Sequence, residues 1–298
     1  MTIAAFLLIL LSVFLHTGWN FLTKAHHPSV AFLLLVNTAA AAVLLPFVFL
    51  IRIPWCSLSW EFWIFLAGSV IAQIVYAYGM SKSYQKNDMS LAYPMIRALP
   101  VILVTALTLV FHIGKTPSPL AVTGMVIVAA GCLILPQKDF HSFNRRNYVG
   151  PALIPILISA VGTTGYTILD SQALKLLREQ NLTNQLLNAG IYSFIMELLV
   201  SLGLGIYVLC SAEERKEFRI HCIGSLYPYL CGIFSCAAYL LVLIAMGYVT
   251  NVSFLQAFRQ MSLPLGVAAG LVILHEKNST TKMAGVSLIV AGLILTVI

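Results

Sequence analysis

Residues 89–111 read MSLAYPMIRALPVILVTALTLVF, an apolar stretch that holds one charge, Arg97, between Pro94 and Pro100. Residues 251–274 read NVSFLQAFRQMSLPLGVAAGLVIL, again apolar, with one charge at Arg259 and a proline at Pro264. A helix needs about 20 apolar residues to cross the hydrocarbon of a bilayer, and both stretches meet that length. Working outward, the rest of the 298-residue chain has the same texture, 60% hydrophobic and only 9% charged. Soluble domains run to about 25% charged residues, so a water-soluble globule is excluded. Short polar breaks divide the chain into ten expected spans: 2–23, 30–51, 60–81, 89–111, 118–136, 149–170, 185–209, 222–247, 251–274 and 280–298. The expected fold class is therefore an all-α integral membrane protein.

The first span is read as a helix of the protein and not as a cleaved leader. It has no basic start, it is long, and no small-residue cleavage pattern follows it. It also carries His16, Trp19 and Asn20. The formal net charge of +7 does not point to nucleic acid, because the basic residues sit mainly in short loops. Of the 17 Lys and Arg residues, eleven fall in, or within three residues of, the loops after the odd-numbered spans, among them Lys24, Lys82, Arg146, Arg215 and Lys282. Four fall in the alternate loops (Arg52, Lys115, Lys175, Arg178), and Arg97 and Arg259 lie inside spans. Positive loops stay in the cytoplasm, which places both termini outside a cytoplasmic (inner) membrane. The six cysteines form no CxxC pair, so neither zinc nor a disulfide framework is suggested.

The chain repeats itself. TGWNFL (17–22) is answered by TGYTIL (164–169), an offset of 147. MSLAYPMIR (89–97) aligns with NVSFLQAFR (251–259) at an offset of 162, and TGMVIVAAG (123–131) with AGVSLIVAG (284–292) at 161. The change in offset requires extra residues in the second copy, and the charged loop SAEERKEFR (211–219) supplies them. The expected domains are a five-helix repeat over 1–138 and a second over 139–298. An odd number of helices per copy inverts the second copy in the membrane. Inverted repeats are a transporter signature, with the substrate near the midplane at the repeat interface.

On these features the chain resembles the drug/metabolite transporter superfamily, EamA-like branch. The resemblance rests on the 5+5 plan, the Gly-Trp-Asn turn in HTGWNFLTK (16–24), and the ends of spans 4 and 9. That family commonly has a Gly-Glu pair after these helices; here Gly114-Lys115 and His275-Glu276 each keep part of it. The resemblance implies that spans 1, 3, 4, 6, 8 and 9 line a central cavity. It also implies cytoplasmic termini, against the charge count, which is the reading followed here.

Arg97 and Arg259 each lie eight residues into their span, about 12 Å along a helix axis and within a few Å of the midplane of a core roughly 30 Å thick. An arginine there costs about 2.5–3.5 kcal/mol to insert, so it must face water, a counter-ion or a ligand. Its planar fork suits carboxylate or phosphate. Alternatively the arginines pair with Glu197, or with Asp170 at the expected end of span 6, and hold helices together. Tyr93 shares a helix face with Arg97, Gln256 shares one with Arg259, and Gln73 pairs with Tyr76. With Trp19, Tyr76, Tyr166 and Tyr239 they complete the candidate lining. Glu197 is a counter-ion, a proton carrier or the ligand of a cation; His16 is a proton relay or a donor to backbone. Small residues in spans 5 and 10 are read as close-packing positions.

No HExxH, GxSxG, P-loop or paired carboxylate pattern is present. The expectation is a protein that is not an enzyme and takes no cofactor or metal. It would be a secondary transporter of a small polar metabolite bearing a carboxylate, phosphate or phosphonate, working by alternating access, with membrane lipid around it and able to act as a monomer. Two alternatives stand: a carrier of a cationic or quaternary amine bound by Glu197 and the aromatics, and an intramembrane enzyme acting on a lipid-linked phosphate.

Overall fold

The computed structural model describes residues 2–24, 29–50, 58–86, 89–134, 137, 153–180, 184–272 and 279–297. Among them all regular structure is helical: α1 (Ile3–Lys24), α2 (Val30–Leu44), α3 (Pro46–Leu50), α4 (Trp60–Lys86), α5 (Met89–Val110), α6 (Pro119–Ile134) and α7 (Leu153–Glu179). The chain continues as α8 (Gln185–Cys210), α9 (Ala212–Gly224), α10 (Tyr227–Ala245), α11 (Val252–Phe258), α12 (Ser262–Val272) and α13 (Thr280–Val297). Among the described residues six stretches are long and apolar enough to cross a membrane: Ile3–Asn20, Val30–Leu50, Trp60–Gln85, Leu153–Glu179, Gln185–Cys210 and Tyr227–Tyr248. Met95–Val110, Pro119–Ile134 and Thr280–Thr296 are apolar but shorter. The outer faces carry apolar side chains, with Leu7, Leu11 and Phe14 of α1 and Leu202, Ile206 and Leu209 of α8 all exposed. That surface matches a hydrocarbon solvent, and the protein is an all-α, membrane-embedded molecule.

Local chemistry sets the helix ends. Ser29 caps α2 by accepting from Phe32 N, and Asn184 caps α8 by accepting from Leu187 N. The expected span 30–51 is interrupted at Leu45, where Pro46 brings no N–H to the helix ladder and opens α3. The expected span 149–170 extends to Glu179, because SQALKLLRE carries on the helical pattern. Asp170 therefore lies within a longer helix and is fully buried. The expected charged loop 211–219 is instead the helix α9. Ser211 caps it by accepting from Glu214 N, and the Glu214 carboxylate accepts from Ala31 N at 2.9 Å and faces Lys82 Nζ at 3.8 Å. Arg52, Arg145, Arg146, Lys277, and the His275-Glu276 pair lie outside the described residues.

The helices pack in a few dominant pairs. α4 lies along α7, α1 along α10, and α6 along α13; α2 sits against α8 and α10, and α5 against α6 and α7. The α6–α13 contact is made by the small residues noted in the sequence. A Cβ on Gly124 would stand 2.5 Å from the Gly292 carbonyl, so only glycine lets these backbones touch. Gly114, at a φ of 76°, turns the chain after α5. Lys115 N then donates to Thr250 O at 2.9 Å, and Asn251 Nδ2 to Ile113 O at 2.9 Å. That junction ties the end of α5 to the start of α11.

Candidate functional site

The stretch 251–272 is one helix broken in the middle. Asn251 caps α11, accepting from Ser253 N. Pro264 has no N–H for the carbonyl of Gln260 four residues earlier, and the chain tightens into a 3₁₀ turn over Arg259–Met261. Arg259 stands at this break, 7% exposed, with Nη1 donating to Gln256 Oε1 at 3.4 Å. Its guanidinium lies 5.8 Å from the centre of the Tyr239 ring, within cation–π range. Arg97, 8% exposed on α5, donates from Nη2 to Ser262 Oγ at 2.7 Å. The Ser262 hydroxyl in turn donates to the Arg259 carbonyl at 3.0 Å. One serine therefore joins the two arginines picked out by the sequence.

An aromatic wall continues from Arg259. Tyr239 meets Tyr166 edge to face at 5.7 Å, and Tyr166 meets Tyr76 edge to face at 5.7 Å, the geometry that ring quadrupoles favour. The three come from α10, α7 and α4. α4 and α7 approach closely at Gly162, where a Cβ would stand 2.5 Å from Tyr76 N. On α1, Trp19 Nε1 donates to His16 Nδ1 at 2.8 Å. An accepting Nδ1 carries no proton, so the imidazole is fixed by the indole and not by a bond to a backbone carbonyl.

The two acids differ sharply. Asp170 accepts from three hydroxyls on three helices: Ser69 of α4, Tyr239 of α10, and Tyr192 of α8 at 2.6 Å. Glu197 is 7% exposed, and its Oε2 has no hydrogen-bond partner among the described residues. Neither acid forms an ion pair among the described residues. The alternative in which Glu197 or Asp170 neutralises an arginine directly is therefore not what the structure contains.

These groups meet around two adjoining cavities. The larger, with about 700 Å³ of empty space partly open to solvent, is lined by His16, Trp19, Tyr76, Tyr166, Tyr239, Glu197 and Arg259. The smaller, with about 360 Å³, adds Arg97 and Gln256 and shares His16, Tyr76, Tyr166 and Arg259 with the first. All the sequence candidates but Tyr93 thus line one central space; the side chain of Tyr93 lies outside the described residues. The sequence reading missed Ser12, Asn37 and Ser235 of the larger cavity and Thr163 of the smaller. Ser12 could have been found, since it lies one turn from His16 on the same helix face. The arrangement brings a cation, aromatic rings and an acid to the lining of one cavity, chemistry that can contact a polar small molecule.

No protein-family model matches the chain, and no curated protein matches it. Solved structures do match. One crystal structure superposes with a TM-score of 0.69 over 99% of this chain and 96% of its own, at 16% sequence identity. The likeness at that identity is one of fold, and it embraces the whole chain.

Proposed function

We propose that the protein is a secondary transporter of a small polar metabolite carrying a carboxylate, phosphate or phosphonate, working by alternating access in a cytoplasmic membrane. In this reading ten spans form two inverted five-helix repeats of the drug/metabolite transporter type, EamA-like branch. The packing supports it. Exchanging α1 with α7, α2 with α8, α4 with α10, α5 with α11–α12, and α6 with α13 turns the contact of α4 on α7 into that of α10 on α1. It likewise turns α5 on α6 into α12 on α13, and α5 on α7 into α12 on α1. The α2–α8 and α6–α13 contacts map onto themselves. Two halves related in this way can rock about a shared central site.

The observation that carries the reading is Arg259, buried at the break of a discontinuous helix, lining the central cavity, and forming no ion pair among the described residues. A buried cation in that position calls for an anion, and broken helices near the midplane are where transporters hold substrate. The test is thermal unfolding of purified protein with a panel of small carboxylates, phosphates and phosphonates. A ligand at 100 times its dissociation constant stabilises by about 2.7 kcal/mol. The expected outcome is a shift with at least one anion, erased by Arg259→Ala. A shift that survives Arg259→Ala overturns the assignment.

A further inference from the structure

We infer that the central cavity takes a dipolar ligand, with its anionic group at Arg259 and a protonated amine at Glu197. The inference rests on the transport reading above and narrows its substrate class.

Glu197 lies midway along α8 and lines the same cavity as Arg259. It is more than nine-tenths buried, and Oε2 has no donor among the described residues. Asp170 is the internal comparison. This fold satisfies a buried carboxylate with three hydroxyls where the acid lies behind the cavity wall. At Glu197, which lines the cavity, it leaves one buried oxygen without a donor among the described residues. The neighbouring polar groups do not fill the gap. Gln73 donates to the sulfur of Met196 at 3.2 Å, a weak acceptor, and Asn37 donates to the Leu33 carbonyl of its own helix at 2.7 Å.

One cavity thus holds a carboxylate and a guanidinium that do not meet each other. Burying an uncompensated ion costs several kcal/mol, and both of these line the cavity. A plain anion would satisfy Arg259 and add repulsion at Glu197. A plain cation would do the reverse. A molecule carrying both charges compensates both. Tyr76, Tyr166 and Tyr239 line the same cavity, and their rings suit an ammonium and a short aliphatic linker through cation–π and apolar contact.

The test measures equilibrium binding of matched probes to the purified full chain: 4-aminobutyrate against butyrate, phosphoethanolamine against ethyl phosphate, and 2-aminoethylphosphonate against ethylphosphonate. A site built to bond a polar ligand group discriminates strongly against analogues lacking it. The expected result is that, in at least one pair, the amine-bearing member binds about a hundredfold tighter. Glu197→Gln should then shrink that preference to about threefold or less, by weakening the amine-bearing member and, with the repulsion removed, tightening the amine-free one. If every amine-free member binds wild type as tightly as its partner, the inference falls and the anion reading stands. If plain alkylamines bind and none of the six probes does, or if no probe binds at all, both fall. The wild-type comparison decides even if the variant fails to fold.

Discussion

Asp170 and Glu197 are both buried carboxylates, and their surroundings give them different work. Three hydroxyl donors converge on Asp170 from α4, α8 and α10, so it holds three helices to α7. Removing the carboxylate leaves buried hydroxyls without an acceptor, each costing about 1–3 kcal/mol. Asp170→Ala should therefore lower unfolding stability by about 2–5 kcal/mol, while Glu197→Gln, which removes an uncompensated charge, should leave ligand-free protein at least as stable as wild type. Thermal melts of the two variants side by side check this, and a stable Asp170→Ala would refute the anchoring role. The sequence exposed these residues unequally. Arg97, Arg259 and Glu197 stand out because a charge in an apolar run is conspicuous. The role of Asp170 was hidden, since its partners Ser69 and Tyr239 are 101 and 69 residues away and no local pattern links them.

At the level of elements, backbone proximity fixes the site. α4 and α7 carry Tyr76 and Tyr166, and they meet where Gly162 admits the α4 backbone. A Cβ there would stand 2.5 Å from Tyr76 N and 2.7 Å from Ala72 O. Alanine is the better helix former by about 1 kcal/mol, yet overpacking against rigid backbone costs about 1–3 kcal/mol, so the clash wins. Gly162→Ala should destabilise the protein and weaken ligand binding together, as read by melting temperature and binding affinity; a stabilised variant with normal affinity would show that α4 and α7 yield freely. The long apolar helices were legible, because apolar runs of span length leave little else to form. Helix interruptions were less so. Pro46 and Pro264 break their helices, whereas α5 runs unbroken through both Pro94 and Pro100. Proline marks a weakened hydrogen bond, and tertiary packing decides whether the helix parts there. α9 was misjudged for composition: its charges read as a loop, although Ser211 followed three residues later by Glu214 is a helix-start pattern.

Across the whole molecule, the proposed repeat, the helix contacts that map onto one another and a cavity bearing opposite charges fit together as one transporter. Under the proposed function the two halves exchange access to that site, and α9, tied to Ala31 and Lys82 through Glu214, would lie on the cytoplasmic face. The central claim is transport. It is tested most directly by counterflow in proteoliposomes made with purified protein and preloaded with an excess of the best-binding probe. Wild type should accumulate the radiolabelled probe transiently and recover it chemically unchanged, while Arg259→Ala vesicles should stay at the level of empty ones. Absence of counterflow by a folded, ligand-binding wild type, or conversion of the probe to a product, would contradict the account.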